Sequence, residues 1–326
     1  MKTVFIAGGG TGGHFYPASA LADFLKEKGY YVVYVGTNRG IEAKKNINAD
    51  EKILLDIEGV RGKGIKGKIR SSFKLMKEIV SVKNLIKEKK PDFNLCFGGY
   101  TSIPLGIASF LTKTPLFIHE QNSIPSYSNL LLSKFSRKQF ITFELSKKYF
   151  KRPVLTGLPL RKSLKKRLSL TKEEARKSLN VPLNKPVVLI FGGSQGAKSL
   201  GEAAVSLSSQ FKNIIFILIT GKHFKSKSTD NLLVFDYYED MGLLYKAADL
   251  VISRAGAASV NEILAFGKNA IFVPFPYAAS NHQYHNVKWL EDLGLSTVLP
   301  QSEIEKLPMF VMEKLENPVP EEKIYK

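Results

Sequence analysis

The sequence predicts an α/β protein built from two successive Rossmann-like, doubly wound parallel-sheet domains. Three observations predict it. Short apolar runs alternate with amphipathic stretches over residues 3–156 and again over 187–316, the pattern of strands joined by helical crossovers. A charged stretch over 157–186, punctuated by Pro159, Pro182 and Pro186, separates the two alternations. The length, 326 residues, suits two domains better than one. The predicted domains are 1–160 and 161–326, with a ligand cleft between them at the carboxyl ends of the strands.

Each element has a local reason. Residues 3–7 are a β-branched and aromatic run ending at glycines, which makes them a strand. Residues 17–28 open on Pro17, a residue favoured at the first helical position, and read as a helix. Residues 31–35 and 52–57 are apolar enough for strands, and 71–88 form a long basic helix. Strand 93–97, helix 103–111, strand 115–118, helix 126–134 and strands 139–142 and 153–156 complete the first alternation. In the link, 171–179 is a short helix opened by Thr171, with Glu174 three residues on as its capping box. The second alternation runs strand 187–191, helix 198–209, strands 213–219 and 232–235, helix 239–247, strand 249–252, helix 256–266, strand 270–273, helix 280–292, strand 295–298 and helix 302–316.

Composition limits the function classes. Apolar residues at 44% and charged residues at 24% are ordinary for a globular chain. The single cysteine, Cys96, rules out an internal disulfide and a cysteine metal cluster. No run of 18 apolar residues exists to span a membrane, and the N-terminus lacks the pattern of a signal peptide. The net charge is +19, and it is uneven: residues 1–160 carry 26 basic and 12 acidic side chains, residues 161–326 carry 22 and 17. The first half therefore expects an anionic partner such as a nucleic acid, an anionic membrane or a phosphorylated substrate, or else it carries a solvated lysine-rich surface.

Two glycine-rich turns and one turn of small residues, each between a strand and a helix, carry the chemistry. Gly8-Gly9-Gly10-Thr11-Gly12-Gly13-His14 joins the first strand to the first helix. Its glycines let the backbone approach a ligand, and the N–H groups at the helix start attract anionic oxygens. It lacks the acidic residue of a dinucleotide fingerprint and the lysine of a P-loop. His14 is either a general base at the helix mouth or a helix-start histidine bonded to backbone. Gly192-Gly193-Ser194-Gln195-Gly196-Ala197 opens the second alternation in the same way. Ser253-Arg254-Ala255-Gly256-Ala257-Ala258-Ser259 enters another helix, with Glu262 one turn further on. That carboxylate suits two vicinal hydroxyls such as those of a ribose, or merely complements the helix dipole. Asn281-His282-Gln283 and His119-Glu120-Gln121-Asn122 are polar clusters at further strand ends.

These motifs, with Gly98-Gly99-Tyr100-Thr101-Ser102-Ile103-Pro104, Gly157-Leu158-Pro159-Leu160-Arg161 and the run from Pro274 to Gln283, occur in an order and spacing that resembles the MurG family. Its members are GT-B glycosyltransferases that move N-acetylglucosamine onto undecaprenyl-pyrophosphoryl-N-acetylmuramyl-pentapeptide, converting lipid I to lipid II. The resemblance covers essentially the whole chain. It implies a GT-B architecture, with the acceptor and membrane on the N-terminal domain and the UDP-sugar mainly on the C-terminal one. Carried over by position, it implies that Thr11, Gly12, Gly13, Asn122, Arg161, Ser194, Tyr238, Ala257, Ala258, Ser259, Glu262 and Gln283 bind UDP-N-acetylglucosamine. Tyr238 would flank the uracil, Ala257, Ala258 and Ser259 would offer N–H groups to the phosphates, and Asn129 would lie on the acceptor side. Leu158 departs from the family's usual asparagine, Asn261 stands where serine is commoner, and the chain ends early for the family.

The resemblance further implies a single in-line displacement with inversion, in which His14 takes the proton of the acceptor's C4 hydroxyl. Without an Asp-x-Asp motif, no metal or other cofactor is expected. Ile69, Phe73, Met76 and Ile79 recur at helical spacing among Lys63, Lys66, Lys68, Arg70, Lys74 and Lys77. By spacing alone this is a core-facing stripe with a solvated basic face. For an enzyme with a lipid acceptor it reads as an interfacial helix on an anionic inner leaflet, joined by Phe110. The expected location is the cytoplasmic face of the membrane, with other cell-wall synthesis proteins as further partners. A nucleic-acid partner would need aromatics interleaved with the basic residues and is not expected. Another GT-B transferase with a lipid acceptor, or a UDP-N-acetylglucosamine epimerase, is the alternative.

Overall fold

The computed structural model describes residues 1–59, 64–193, 197–222 and 224–324, with the side chains of Ile65, Lys66 and Lys68 left aside. The chain divides into two compact units, Met1–Arg161 and Lys162–Lys326.

Unit 1 is a seven-stranded sheet of β1 (Thr3–Ala7), β2 (Tyr31–Thr37), β3 (Glu51–Leu55), β4 (Phe93–Cys96), β5 (Leu116–Glu120), β6 (Lys138–Ile141) and β7 (Pro153–Leu155), in the order β3-β2-β1-β4-β5-β6-β7. Every pairing is parallel. Helices α1 (Gly12–Glu27), α2 (Ile65–Lys89), α3 (Ser102–Thr112) and α4 (Tyr127–Ser133) connect the strands. One layer packs Phe15, Ala18, Ala22 and Leu25 of α1 on Val4, Ile6 and Tyr34. The opposite layer packs Val82 and Ile86 of α2, Leu105 and Ala108 of α3 and Leu132 of α4 on Phe5, Val33 and Ile118. Both faces of β1 are covered, so Val4–Ala7 are buried without alternation. Burial also pushes the Cys96 thiol up to about 12, which makes it an inert core residue.

Unit 2 opens with α5 (Lys162–Arg167) and α6 (Lys172–Ser178). The Thr171–Glu174 capping box is formed in both directions. Its six-stranded sheet contains β8 (Val187–Phe191), β9 (Ile215–Ile219), β10 (Leu232–Phe235), β11 (Leu250–Ser253), β12 (Asn269–Phe272) and β13 (Thr297–Val298), ordered β10-β9-β8-β11-β12-β13 and again all parallel. The connecting helices are α7 (Lys198–Gln210), α8 (Met241–Ala247), α9 (Ala257–Ala265), α10 (His282–Asp292) and α11 (Leu307–Glu316), followed by α12 (Glu321–Ile324). No described helix is long and apolar enough to cross a membrane.

Several elements differ from the sequence reading. α1 begins at Gly12, five residues before Pro17, which lies inside the helix at the loss of one i→i−4 hydrogen bond. α2 begins at Ile65. The short helices α5 and α12 carry no strong periodicity and were not expected. The last predicted helix is a 3₁₀ segment, Gln301–Lys306, followed by α11. Pro308 near the start of α11 supports its beginning there.

The stripe on α2 requires a correction. Ile79 is only 4% exposed, whereas Ile69, Phe73, Met76 and Val80 are 53, 74, 59 and 52% exposed. At 3.6 residues per turn, Val80 falls in line with Phe73 and Met76, while Ile79 lies roughly 100° away with Val82 and Ile86 on the core side. Ile79 is therefore a core residue, and Val80 replaces it in the exposed stripe. Phe110, on α3, is 55% exposed and its ring lies 4.5 Å from that of Phe135. Lys74 is not part of a free basic ring, since its Nζ donates to Asp56 Oδ2 at 2.7 Å. Arg70 and Lys77 are exposed. Lys63 lies outside the described residues, as do the side chains of Lys66 and Lys68.

Candidate active site

In unit 1 the site forms where β1, β4 and β5 end. β1 passes through Gly8-Gly9-Gly10 into α1, whose N-cap is Thr11. Gly10 has φ +82°, a left-handed conformation that favours glycine. Beneath the turn lies Glu42, fully buried, a residue with no motif to announce it. Its carboxylate accepts from Gly10 N at 2.8 Å, Thr37 N at 3.0 Å and Thr37 Oγ1 at 2.8 Å. A side chain at Gly9 would overlap that carboxylate. The turn is thus held from below by a buried acid. Thr11 and Gly13 are exposed, and Gly12 is buried.

His14 sits in the first turn of α1, half-buried. Gly99 makes room for its ring. With φ +74°, a Cβ there would stand 3.2 Å from His14 Cδ2 and 3.0 Å from Gly9 O. His14 Nδ1 lies 2.8 Å from Gln121 Oε1. Gln121 Nε2 lies 2.8 Å from His119 O and 3.2 Å from His119 Nδ1. His119 Nε2 lies 3.0 Å from Gly157 O. The His119 ring stacks on Phe97 at 5.2 Å between centroids, and burial brings its pKa down to about 4 against the opposing effect of the Gly157 contact.

Glu120 folds the loop that follows β5. Its Oε1 accepts from Asn122 N at 2.9 Å, and its Oε2 accepts from Ser126 N at 3.0 Å and Asn129 Nδ2 at 2.8 Å. Asn129 also donates to His119 O at 3.0 Å. Asn129 is fully buried, and its two side-chain bonds brace the loop from beneath. Asn122 is half-buried beside it. The Arg161 guanidinium lies over the Tyr16 ring, 4.8 Å from its centroid, two residues along α1 from His14.

In unit 2, β11 leads through Ser253–Gly256 into α9, whose N-cap is Gly256. Ala257, Ala258 and Ser259 form the first turn, where N–H groups have no intrahelical acceptor. Glu262 is half-buried and its Oε2 accepts from the hydroxyl of buried Tyr245 at 3.0 Å. Arg254, a buried cation within the Ser253–Gly256 turn, joins the surrounding loops. It donates to Val273 O at 3.0 Å, Pro274 O at 3.2 Å and Ser199 Oγ at 3.1 Å, and also to Gln301 Oε1. Gln283, in the first turn of α10, accepts from Phe275 N through Oε1 at 2.9 Å. Tyr238 packs edge-on to Phe235 at 5.0 Å, and burial raises its hydroxyl pKa, with Asp240 adding to the effect. Ser194 lies outside the described residues.

The chain is similar to known proteins over both units. Residues 4–141 match the glycosyltransferase family 28 N-terminal domain, and residues 187–324 match its C-terminal domain. The chain is 57% identical over 309 residues to a UDP-N-acetylglucosamine–N-acetylmuramyl-(pentapeptide) pyrophosphoryl-undecaprenol N-acetylglucosamine transferase of Sulfurihydrogenibium sp. (strain YO3AOP1), covering 94% of this chain and 87% of the relative. An Aquifex aeolicus (strain VF5) protein of the same description is 44% identical over 92% of this chain and 88% of its own length. The crystal structure of Acinetobacter baumannii MurG is similar with a TM-score of 0.76 and 30% identity, over 100% of this chain and 94% of that one. The two parallel Rossmann-like sheets are those of a GT-B fold.

Proposed function

The chain belongs to glycosyltransferase family 28, and from that premise we propose that it moves N-acetylglucosamine from UDP-N-acetylglucosamine to the C4 hydroxyl of N-acetylmuramic acid in undecaprenyl-pyrophosphoryl-N-acetylmuramyl-pentapeptide. The observation that carries this reading is an imidazole at the mouth of a glycine-rich turn, in a chain 57% identical to a transferase of that description over 94% of its length.

The acceptor hydroxyl attacks the anomeric carbon of the donor from the face opposite the leaving group. A new C–O bond forms, the bond from the anomeric carbon to the phosphate oxygen breaks, and its electron pair leaves with UDP. The configuration inverts, giving a β1→4 link. His14 takes the hydroxyl proton as general base. The N–H groups of Ala257, Ala258 and Ser259 meet the diphosphate as it gains charge. Glu262 accepts from the ribose hydroxyls, Gln283 reaches the sugar, and Tyr238 flanks the uracil. In unit 1, Thr11, Gly12, Gly13, Asn122 and Arg161 meet the donor, while Ser194 contacts nucleotide or diphosphate.

The exposed stripe Ile69, Phe73, Met76 and Val80 supports docking to the membrane that holds the acceptor. Phe110 extends the apolar surface, and Arg70 and Lys77 supply charge for anionic lipid. The protein then works as a peripheral enzyme on the cytoplasmic face, alongside other proteins of cell-wall synthesis.

The test is an assay with UDP-N-acetylglucosamine and a short-chain lipid I analogue. UDP release that requires the acceptor, with a disaccharide product, is expected. UDP release without acceptor, or formation of an epimeric sugar, would replace transfer by an epimerase-like reaction.

A further inference from the structure

We infer that Gln121 is a positioning residue that fixes the tautomer of His14, holding the proton on Nδ1 so that Nε2 is the basic nitrogen, and that His119 in turn fixes the orientation of Gln121. The inference rests on the transfer reaction only for the use made of that nitrogen. The proton positions follow from hydrogen bonds within unit 1.

The chain of logic starts at a backbone carbonyl. Gln121 has one side-chain atom 2.8 Å from His119 O. A carbonyl oxygen only accepts, so the atom facing it must be the amide nitrogen, since an amide oxygen there would bring two acceptors together. The amide cannot be flipped, and Oε1 therefore faces His14 Nδ1 at 2.8 Å. An amide oxygen also only accepts. His14 Nδ1 must then carry a hydrogen and donate it to Gln121. In the neutral ring the lone pair is left on Nε2.

The far end of the relay agrees. His119 Nε2 is 3.0 Å from Gly157 O, so it carries the hydrogen and donates. His119 Nδ1 is left as an acceptor, and it faces Gln121 Nε2 at 3.2 Å. One amide nitrogen thus donates to both the carbonyl and the ring of His119. This works only while His119 is neutral, and its near-complete burial and its stacking on Phe97 favour the neutral ring. Glu120, between the two relay residues in sequence, is occupied by Asn122, Ser126 and Asn129 and takes no part in these bonds. The relay therefore orients the base through neutral groups, without a carboxylate against the imidazole.

The tautomer can be read without the reaction. Two-bond ¹⁵N–¹H correlation spectra of protein labelled at histidine, recorded at about pH 8.5 above the ordinary imidazole range, distinguish Nδ1–H from Nε2–H rings. A His14→Gln variant identifies the His14 signals. The expected result is Nδ1–H for His14 and Nε2–H for His119. In Gln121→Leu, which keeps bulk and removes all three side-chain hydrogen bonds, His14 should shift to a mixture or to Nε2–H. Its kcat should fall about ten- to a hundredfold, part of the 10²–10⁴ that a general base supplies, with UDP affinity within about twofold. Gln121→Met, close to glutamine in shape and likewise without the amide, should give the same tautomer shift. An Nε2–H ring for His14 in the unaltered protein would overturn the inference. So would an unchanged tautomer in Gln121→Leu, or a loss confined to KM. If Gln121→Leu does not fold, the unaltered protein and Gln121→Met decide. An absence of acceptor-dependent transfer with the expected tautomers would overturn the proposed function and leave the relay standing.

Discussion

At the scale of single residues, His14 and Glu262 are expected to fail differently when truncated. Loss of a proton acceptor removes an interaction that exists only in the transition state, so His14→Ala should lower kcat by about 10²-fold or more while UDP affinity changes little. Near-normal turnover would return His14 to a helix-start residue. Glu262 meets the donor in both ground and transition states, so Glu262→Ala should raise the donor KM and leave the acceptor KM alone. An equal rise in both would remove it from the ribose. His119 yields a prediction about stability. Burial holds its pKa near about 4, while the unfolded value is the ordinary one near 6.5. The unfolded chain therefore binds the proton first as pH falls, and this stabilisation is complete above about pH 6.5 and lost towards pH 4. At about 1.4 kcal/mol per pH unit, the loss is on the order of 3 kcal/mol. Denaturant unfolding at pH 7 and pH 4.5 should show a smaller acid loss in His119→Gln than in the unaltered protein. Equal losses would mean that His119 is not held neutral.

At the scale of elements, α2 carries two apolar stripes on one helix, one for the core and one for solvent. Their separation explains why the sequence is only partly legible there. Met76 to Ile79 and Met76 to Val80 are both acceptable helical steps, and only the packing of Val82 and Ile86 decides which residue faces inward. The same limit applies to α1, where Pro17 marks a plausible start but the helix reaches back to Gly12. Strands were easier, because burial on both faces makes them continuous apolar runs such as Val187–Phe191. Within the proposed site, His14 and Glu262 stand out in the sequence because their residue types are chemically pointed and sit at turns. Glu42, Tyr245 and Arg254 do not, because their roles depend on contacts far along the chain. The exposed stripe carries its own prediction. Apolar burial hardly responds to salt, whereas the electrostatic part is screened over about 10 Å at 0.1 M. Binding to anionic vesicles should weaken but persist as salt rises. Phe73→Ser with Met76→Ser should weaken it at every salt concentration, and Arg70→Gln with Lys77→Gln should chiefly flatten the salt dependence. Turnover of a soluble acceptor should survive both pairs. Unfolding or loss of soluble activity in the Phe73/Met76 variant would make those residues structural and end the docking reading.

At the scale of the whole molecule, the uneven charge and the two separate cores suggest that two ligands act on different units. The first 160 residues hold 26 basic against 12 acidic side chains, while the remainder holds 22 against 17. A membrane surface should thus engage unit 1, whose exposed stripe is on α2. The nucleotide should chiefly engage unit 2, where Ala257–Ser259, Glu262 and Gln283 surround the proposed site. A ligand that binds only the folded state stabilises it by RT ln(1 + [L]/Kd), about 2.7 kcal/mol at a hundredfold excess over Kd. That stabilisation should appear first in the amides nearest the ligand, because local opening varies across a structure. Hydrogen exchange followed by mass spectrometry can separate the two. Saturating UDP should slow exchange in peptides covering 253–265 and 274–286 and leave 69–89 unchanged. Anionic vesicles should slow exchange in 69–89 and around Phe110 and leave 253–265 unchanged. If UDP protected only the Gly8–His14 turn, the donor would belong to unit 1 and the assignment of Glu262 to ribose would fail. If vesicles protected unit 2 instead of α2, the membrane would meet a different face, and the exposed stripe would need another occupant.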